Sequence, residues 1–257
     1  MTAPHRLVDL HCHVLPNVDD GADDDEMALR MLQASAMSGV ARVVATPHAH
    51  HCPAELIPRL VERLNVKARR AGLEIEVLPG QEVRLGAHVV ERLVAGELLT
   101  LNQTRYLLLE LPLSGSWPSY LEAVVDDLQA RGYRPILAHA ERYPDVQRNP
   151  RLVEPLVARG VPVQLNADSL GERSERGARP AAEYLLAHRL AHLIASDAHS
   201  DSWRPPRLDA ALARAAELAG ASYSAWMIEA SWSIVRGEPV ELPEPCAAAE
   251  PEEGRVV

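Results

Sequence analysis

Two histidines separated by one residue, His11 and His13, follow a short apolar run near the start of the chain. If residues 7–13 form a β-strand, side chains two positions apart lie on the same face, so both imidazoles point one way while Cys12 points the other way. Imidazole is a common metal ligand, and two imidazoles side by side make half of a metal site. The opening stretch therefore predicts a metal centre whose remaining ligands come from further along the chain.

Apolar runs that end in polar, ligand-type residues recur along the chain. Counting the opening run, seven of them are typical of strands, and they cover residues 7–13, 40–46, 74–78, 106–109, 135–138, 161–165 and 192–195. Helical stretches are predicted at about residues 27–38, 54–71, 119–131, 150–159, 180–188, 206–219 and 222–236. Strands and helices therefore alternate over most of the chain.

This alternation predicts parallel strands with right-handed crossovers, hence a doubly wound sheet or a barrel. Polar residues at the carboxyl end of every strand favour a barrel, because all strand ends meet at one mouth there. In an open sheet the outer strands would lie too far apart to share one site. We expect a single α/β domain, a (β/α)7-type barrel, within residues 1–236, followed by a disordered tail at residues 237–257 that is rich in Pro, Glu and Ala.

The composition excludes several classes of partner. The net charge of -10 argues against nucleic acid, which is bound through clustered Lys and Arg. No apolar run approaches the roughly 20 residues that a membrane span needs, and the chain starts without a signal-peptide pattern. We therefore expect a cytoplasmic protein without membrane insertion. The three cysteines are scattered and do not suggest a disulfide framework.

Nine His, Asp and Glu side chains at or just beyond the predicted strand ends are candidate metal ligands. They are His11, His13, Asp20, His48, Glu82, Glu110, His139, Asp197 and His199. Nine ligands are too many for one ion but suit a cluster of two or three, in which a carboxylate can bridge two cations. Nitrogen and oxygen donors without a thiolate suit manganese, iron or zinc, and the large share of oxygen favours Mn2+.

Two of these positions have neighbours of the same type. Asp19 directly precedes Asp20, and the choice between them rests on spacing alone. His50 and His51 crowd the loop after His48, which we prefer because it directly ends a Thr-Pro-His motif. The other two histidines are expected to be loop residues.

The charge of such a cluster indicates the substrate. Three divalent cations against four carboxylates would leave about two positive charges in the pocket of a negatively charged protein. That pocket would hold a phosphate dianion, and a metal-bound water with a pKa of roughly 7 would be the nucleophile. Arg142 and Arg204 follow strand-end ligands, and their planar guanidinium groups could bind phosphate oxygens bidentately. Since most arginines are surface residues, spacing alone leaves this role open.

The motifs that contain these residues resemble the PHP (polymerase and histidinol phosphatase) superfamily. They are His-x-His at 11–13, Thr-Pro-His at 46–48, Gly-Gln-Glu at 80–82, His-Ala-Glu-Arg-Tyr at 139–143 and Ser-Asp-Ala-His at 196–199. Val-Asp-Asp-Gly at 18–21, Glu110 and Arg-Pro-Pro at 204–206 are similar to one branch. That branch is the manganese-dependent bacterial protein tyrosine phosphatases of capsular and exopolysaccharide loci, the CpsB/YwqE-like group. The resemblance covers about residues 7–236, with the motifs in the family's order.

The resemblance implies a distorted (β/α)7 TIM-like barrel with a trinuclear metal centre. Carried over by motif, one ion takes His11, His13, Glu82 and Asp197, a second takes Glu82, Glu110 and His139, and a third takes Asp20, His48 and His199. Arg142 and Arg204 match the phosphate-binding arginines of that branch. The implied substrate is a phosphotyrosine-containing protein, the tail of a membrane-associated bacterial tyrosine autokinase that controls polysaccharide export.

Two other functions stay open at the level of sequence. A barrel with the same metal chemistry could act on a small phosphoester such as histidinol phosphate, because barrel mouths are re-specified by their loops. A non-catalytic binding module on the same fold is the other alternative, and the complete ligand set argues against it.

Overall fold

Strands and helices alternate along the chain, as the sequence pattern predicts. The computed structural model describes residues 6–171 and 174–246. Its strands are β1 (Leu7–Cys12), β2 (Val40–Ala45), β3 (Glu76–Pro79), β4 (Glu82–Arg84), β5 (Tyr106–Glu110), β6 (Arg134–Leu137), β7 (Gln164–Asn166) and β8 (Leu193–Ala195). Its α-helices are α1 (Asp25–Met37), α2 (Ile57–Arg70), α3 (Val89–Val94), α4 (Leu121–Ala130), α5 (Pro144–Arg148), α6 (Glu154–Val157), α7 (Ala178–Ala187), α8 (Asp209–Ala219) and α9 (Ala221–Arg236).

Local sequence explains where helix α1 begins and ends. The carboxylate of Asp24 accepts a hydrogen bond from the backbone N–H of Met27, 2.7 Å away, which caps the first turn. Asp25 and Glu26 follow, where negative charge favours the positive end of the helix dipole. Gly39, with a φ of 87°, turns the chain out of the helix and into β2.

The strands form three parallel sheets, with the orders β1-β2-β3, β4-β5-β6 and β7-β8. All pairings between these strands are parallel, which confirms a mixed α/β fold with crossover connections. Single parallel bridges join neighbouring sheets, at His48–Glu82, Leu137–Val163 and Cys12–Ala198. The carboxyl ends of strands from all three sheets therefore lie near one another.

The structure differs from the predicted count of seven strands, because the described residues contain an eighth, β4. Strand β3 ends at Pro79, and Gly80 then passes so close to β2 that a Cβ on it would lie 2.6 Å from Val44 Cγ1. The chain next pairs with β5 instead, starting at Glu82 opposite Leu108. The helix predicted at 150–159 is also shorter, since only α6 and a preceding 3-10 turn form there.

Period-two alternation places the two faces of most strands in different apolar clusters. In β5, Leu107 and Leu109 pack with the surrounding helices, whereas Tyr106 and Leu108 belong to an inner cluster that helix α9 covers through residues such as Ile234. The next residue on the inner face is Glu110, the last of the strand. The alternation thus carries a carboxylate from the apolar interior to the strand end.

The segment after α9 contacts the body of the protein over its first residues. The hydroxyl of Tyr106 donates to the Glu238 carbonyl oxygen at 2.9 Å and accepts from the Val240 N–H at 3.0 Å. The Cys246 N–H donates to the His188 carbonyl oxygen at 3.0 Å. Residues 247–257 of the predicted tail lie outside the described residues, and disorder there stays a prediction. Within the described part of the chain, no helix has both the length and the apolar character needed to cross a bilayer.

Candidate metal centre

The two histidines of the opening strand are buried and face each other. His11 Nε2 and His13 Nε2 lie 3.2 Å apart. Their other ring nitrogens point at oxygen atoms: His11 Nδ1 is 3.0 Å from Gln164 Oε1, and His13 Nδ1 is 2.7 Å from Asp19 Oδ2. Because these oxygens can only accept, each Nδ1 carries a hydrogen, so the Nε2 of each neutral ring has a lone pair that can bind a cation at the centre. Two such nitrogens facing one another fit a shared cation.

An irregularity in β1 helps to orient this pair. The pairing register of β1 with β2 shifts between Asp9 and Cys12, at the point where the histidines occur. Such shifts bend a strand and re-aim its side chains. Cys12 packs into the apolar core, on the side away from the two imidazoles, as the strand prediction requires.

Asp19 is fully occupied by protein partners. Its buried carboxylate accepts from His13 Nδ1, from the backbone N–H of His48 at 3.1 Å and from the backbone N–H of Gly21 at 3.1 Å. It therefore ties the turn after β1 to the end of β2. A Cβ on Gly21 would lie 2.0 Å from the His13 carbonyl oxygen, so this close turn requires glycine.

Asp20 points the other way, toward imidazoles. Its side chain is 61% exposed, and Oδ1 lies 3.5 Å from His48 Nε2 and 3.4 Å from His199 Nε2. The second ring nitrogen of His199 lies 2.8 Å from the Asp197 carbonyl oxygen, which leaves its Nε2 lone pair facing Asp20. Of the two adjacent aspartates, Asp19 contacts His13 from behind, at Nδ1, whereas Asp20 faces the Nε2 atoms of His48 and His199.

Glu82 occupies the middle of the cluster and is surrounded by four imidazoles. Its Oε1 lies 2.8 Å from His139 Nε2 and 3.4 Å from His11 Nε2. Its Oε2 lies 2.8 Å from His48 Nδ1 and 3.5 Å from His13 Nε2. The carboxylate is almost completely buried, so it can contact several ions but little water.

Unsatisfied atoms test whether this donor set fits metal ions. Glu82 Oε2 and His48 Nδ1 are buried and 2.8 Å apart, yet neither makes a hydrogen bond to a described residue. A buried polar atom without a partner is costly in a protein interior. Two ligand atoms this close would both be satisfied by a cation placed between them. The arrangement fits a metal centre built from nitrogen and oxygen donors.

Two strand-end residues of the cluster have strained backbones. His139 has a φ of 30° and Asp197 a φ of 48°, the left-handed region that residues other than glycine rarely adopt. His139 Nε2 is directed at Glu82 and lies 4.0 Å from Glu110 Oε1. Strain of this kind accumulates at functional sites, where the surrounding structure imposes it.

Asp197 connects the histidines to the two arginines. Its Oδ1 lies 3.2 Å from His11 Nε2. Its Oδ2 accepts from Asn166 Nδ2 at 2.6 Å, from Arg142 Nη1 at 3.4 Å and from Arg204 Nη2. The arginines therefore line the edge of the cluster on the side of β6 and β8.

All nine predicted ligands are brought into one cluster. Seven of them fall into three groups whose ligand atoms lie within 4.8 Å of one another: His13, Asp20, His48 and His199; His11, His13 and Glu82; and His48, Glu82 and Glu110. The other two join the cluster through Glu82, which His139 contacts, and through His11, which Asp197 contacts. These groups share more residues than the three ligand sets implied by the motifs. His13 lies close to Asp20 as well as to His11, and His48 lies close to Glu110 as well as to Asp20.

The electrostatics of the cluster favours positive charge at its centre. Burial would raise the pKa of Glu82 and of Asp197, but the surrounding imidazoles outweigh it and hold both pKa values well below the usual range. Burial would lower the pKa of His13, yet the Asp19 hydrogen bond and the other carboxylates raise it well above its usual value. Burial and the charge of Glu82 raise the pKa of Glu110.

Several supporting residues were not predicted from sequence. Gln164 orients His11, and its amide nitrogen donates to Asn166 Oδ1 at 2.9 Å. Glu141 is buried and accepts from the Asn166 N–H at 3.0 Å and from Ser169 Oγ at 2.6 Å, and burial raises its pKa to about 7. Gln164 could have been found from its position two residues before Asn166 on the same strand, and Glu141 from its place in the motif at 139–143.

Known proteins share both the sequence and the structure of this chain. The sequence pattern of the family described as capsular polysaccharide synthesis, CpsB/CapC, matches residues 7–232. The tyrosine-protein phosphatase YwqE of Bacillus subtilis is 35% identical over 198 residues, which is 76% of this chain and 78% of the relative. The putative tyrosine-protein phosphatase CapC of Staphylococcus aureus is 34% identical over 208 residues, 77% of this chain and 79% of that protein.

A solved structure agrees with these matches. It comes from work on YwqE of Bacillus subtilis and CpsB of Streptococcus pneumoniae, described as unique metal-dependent tyrosine phosphatases. It superposes with a TM-score of 0.87 at 30% identity, covering 94% of this chain and 100% of that chain. The resemblance drawn from the motifs is confirmed, and the chain belongs to the CpsB/CapC family.

Proposed function

We propose that this chain is a metal-dependent phosphotyrosine-protein phosphatase. The observation that carries the proposal is the largely buried cluster of nine potential ligands with two arginines at its edge. Relatives that are named tyrosine-protein phosphatases match more than three quarters of the chain. The reaction is hydrolysis of a phosphate monoester, with water as the attacking group and the tyrosyl oxygen as the leaving group.

The metal ligands proposed here are the nine residues of the cluster, holding two or three Mn2+ ions, with iron or zinc as alternatives. Glu82 contacts four imidazoles and is therefore the residue best placed to bridge ions. When bound, divalent cations supply a water of lowered pKa and positive charge that holds phosphate oxygens. Asp19 and Gln164 keep the Nε2 lone pairs of the two β1 histidines directed at the centre.

Arg142 and Arg204 are the proposed phosphate-binding residues. Both guanidinium groups reach Asp197, and their side chains are 19% and 13% exposed, so they remain accessible from the mouth. Arg142 also pairs with Glu175 at 3.1 Å. Planar guanidinium groups in this position can bind the non-bridging oxygens of a phosphate and stabilise the charge that develops in the transition state.

We further propose that the three sheets are arcs of a distorted (β/α)7 barrel within residues 1–236. Bridges join each sheet to the next, and the backbone N–H groups of His13 and Asp197 tie the ends of β1 and β8 together. In such a barrel the strand ends converge on one mouth, which would bring ligands from six strands into one site. The family match at residues 7–232 lies inside this range.

The proposed substrate is the phosphotyrosine tail of a membrane-associated bacterial tyrosine autokinase, met in the cytoplasm. Support comes from the family's description, which concerns capsular polysaccharide synthesis, and from relatives named for tyrosine dephosphorylation. The alternative substrate is a small phosphoester such as histidinol phosphate, and a non-catalytic binding role is the other alternative.

A comparison of substrates with and without metal tests the proposal. Purified protein is treated with a chelator, reloaded with Mn2+, and assayed on a phosphotyrosine peptide and on histidinol phosphate. We expect hydrolysis only after metal loading, with the higher kcat/KM on the peptide. Equal hydrolysis by the metal-free protein would contradict metal dependence, and a higher kcat/KM on histidinol phosphate would favour the small-molecule function.

A further inference from the structure

An exposed tryptophan stands at the edge of the cluster, in the loop that follows β8. Trp203 is 66% exposed, although its indole is among the largest apolar side-chain groups. Its ring centroid lies 6.3 Å from that of His199, and the guanidinium carbon of Arg204 lies 5.5 Å from it. The ring thus adjoins both a candidate ligand and a candidate phosphate-binding residue.

The backbone that carries this ring is held in place. The buried hydroxyl of Ser200 accepts from the N–H of Ser202 at 3.2 Å, of Trp203 at 2.9 Å and of Arg204 at 3.4 Å. Pro205, directly after Arg204, further restricts the chain. The backbone of the loop is therefore held in place, and it carries the indole and the guanidinium group next to each other at the mouth.

We propose that Trp203 is a specificity-determining residue that packs against the aromatic ring of an aryl phosphate. This inference rests on the proposed phosphatase function. A phosphate held by Arg204 and the cluster directs the rest of the ester outward, because the residues behind it are buried. The first group of the ester outside the pocket is then the phenyl ring of phosphotyrosine, at the level of the indole.

Stacking between aromatic rings distinguishes aryl from alkyl esters. Two rings in offset or edge-to-face contact stabilise a complex more than the burial of their apolar area alone would. The additional stabilisation corresponds to about threefold to tenfold in affinity. A serine or glycerol phosphate has no ring and gains nothing from Trp203. The residue therefore acts on substrate selection and leaves hydrolysis itself unchanged.

The variants that test this role are Trp203→Ala and Trp203→Phe, with Met37→Ala as the matched control. Met37 is also exposed, at 82%, but it lies far from the cluster. It is the last residue of α1 and so lies near the amino end of β2, whereas the cluster lies at the carboxyl ends of the strands. Both positions are exposed, so the thermal unfolding midpoints of all three variants should stay close to that of the unchanged protein. The assay uses manganese-loaded protein.

Four probes separate the possible outcomes: a phosphotyrosine peptide, glycerol 2-phosphate, phenylphosphonate and methylphosphonate. We expect Trp203→Ala to lower kcat/KM on the peptide about threefold to tenfold, mainly through KM, and to weaken phenylphosphonate binding equally. Glycerol 2-phosphate and methylphosphonate should be unaffected, and Trp203→Phe and Met37→Ala should behave like the unchanged protein.

The two phosphonates keep this inference separate from the proposed function. Equal losses for aryl and alkyl probes, or no loss with either, would overturn the role of Trp203 while leaving the phosphatase function intact. If the protein hydrolyses no substrate, the function fails, and calorimetric binding of phenylphosphonate against methylphosphonate still decides the inference. Failure of the unchanged protein to prefer phenylphosphonate would also overturn it.

Discussion

At the scale of single residues, Asp19 acts on the cluster without facing its centre. Its carboxylate lies behind His13 and accepts the Nδ1 hydrogen at 2.7 Å. Carboxylates in this position fix the tautomer of a metal-binding imidazole and raise its basicity. Asp20, one residue later, presents its oxygens to His48 and His199 instead. Adjacent residues of the same type thus have different roles because their side chains point in different directions.

We predict that Asp19→Asn weakens metal binding about tenfold to a hundredfold. The amide has one oxygen where the carboxylate has two, and three donors now converge on Asp19. The tautomer of His13 with a free Nε2 lone pair is therefore no longer favoured. Competition with a chelator measures the apparent affinity, and Asp20→Asn serves as the comparison in which a proposed ligand is changed directly. Unaltered affinity in Asp19→Asn would contradict the positioning role.

The two arginines allow a second prediction at this scale. Arg204→Lys keeps the positive charge but loses the planar fork that can hold two phosphate oxygens. We expect kcat/KM on a phosphotyrosine peptide to fall by about tenfold to a hundredfold, the effect of losing one charge-assisted hydrogen bond of about 1.5–3 kcal/mol. Metal content, measured in parallel, should not change. If Arg204→Lys matches the original kcat/KM, bidentate phosphate binding by this residue is wrong.

The strand ends explain how much of the site can be predicted from residues alone. All nine candidate ligands were predicted because polar residues end apolar runs and therefore meet at one edge. The division of these residues among three ions stays a prediction, and the structure adds that His13 and His48 each lie close to a second group of ligand atoms. Sequence spacing carries no information on the direction of a side chain beyond the end of its strand. Asp19, Gln164 and Glu141 were missed as supporting residues for the same reason.

At the scale of elements, the turn between β1 and α1 depends on Gly21. The turn folds back onto β1, with the Ala22 N–H donating to the His13 carbonyl oxygen at 3.0 Å. A Cβ at Gly21 would collide with that oxygen and with the backbone near it. Because the contacted atoms are the backbone and Cβ of His13, which cannot swing aside, the clash can be relieved only by moving the turn that carries Asp19 and Asp20.

We predict that Gly21→Ala lowers the free energy of unfolding by about 1–3 kcal/mol, the usual cost of forcing extra volume into a packed site. Metal affinity should fall as well, since the turn shifts away from the cluster. Gly86→Ala is the matched control, because nothing lies within 4 Å of a Cβ there. Urea unfolding measures both variants. Similar unfolding curves for Gly21→Ala and the unchanged protein would contradict this account of the turn.

The elements themselves were predicted unevenly. Strands with long apolar runs, such as β2 and β5, were found near their true bounds, because burial on both faces leaves a strong signal. Strand β4 was missed because it has three residues, two of which are the charged Glu82 and Arg84. The register shift within β1 left no trace in composition, since it depends on pairing with β2.

At the scale of the whole molecule, stability should depend on pH through a histidine outside the cluster. His192 is completely buried, accepts from the Val163 N–H at 3.2 Å, and has a second ring nitrogen without a hydrogen-bond partner among the described residues. Burial lowers its pKa to about 3, from 6.5 in the unfolded chain. The unfolded state therefore binds a proton that the folded state excludes between these values.

We predict that this histidine contributes stability above about pH 6.5 that is lost as the pH falls toward 3. One proton difference corresponds to about 1.4 kcal/mol per pH unit within that window. His192→Asn keeps an acceptor near Nδ1 but cannot bind the proton. Urea unfolding measures the free energy of unfolding at pH 7 and at pH 5. Its decrease between these two pH values should be smaller for His192→Asn than for the unchanged protein. Equal decreases would show that His192 titrates normally in the folded state.

The proposed metal centre is assembled from strand ends of all three sheets, so it depends on the whole molecule. Elemental analysis of the unchanged protein and of Glu82→Gln, with phosphotyrosine-peptide hydrolysis measured on the same samples, tests this most directly. We predict two or three divalent ions per unchanged chain, and loss of both bound metal and hydrolysis in Glu82→Gln, since its carboxylate contacts four imidazoles. Full metal content together with full activity in Glu82→Gln would contradict it.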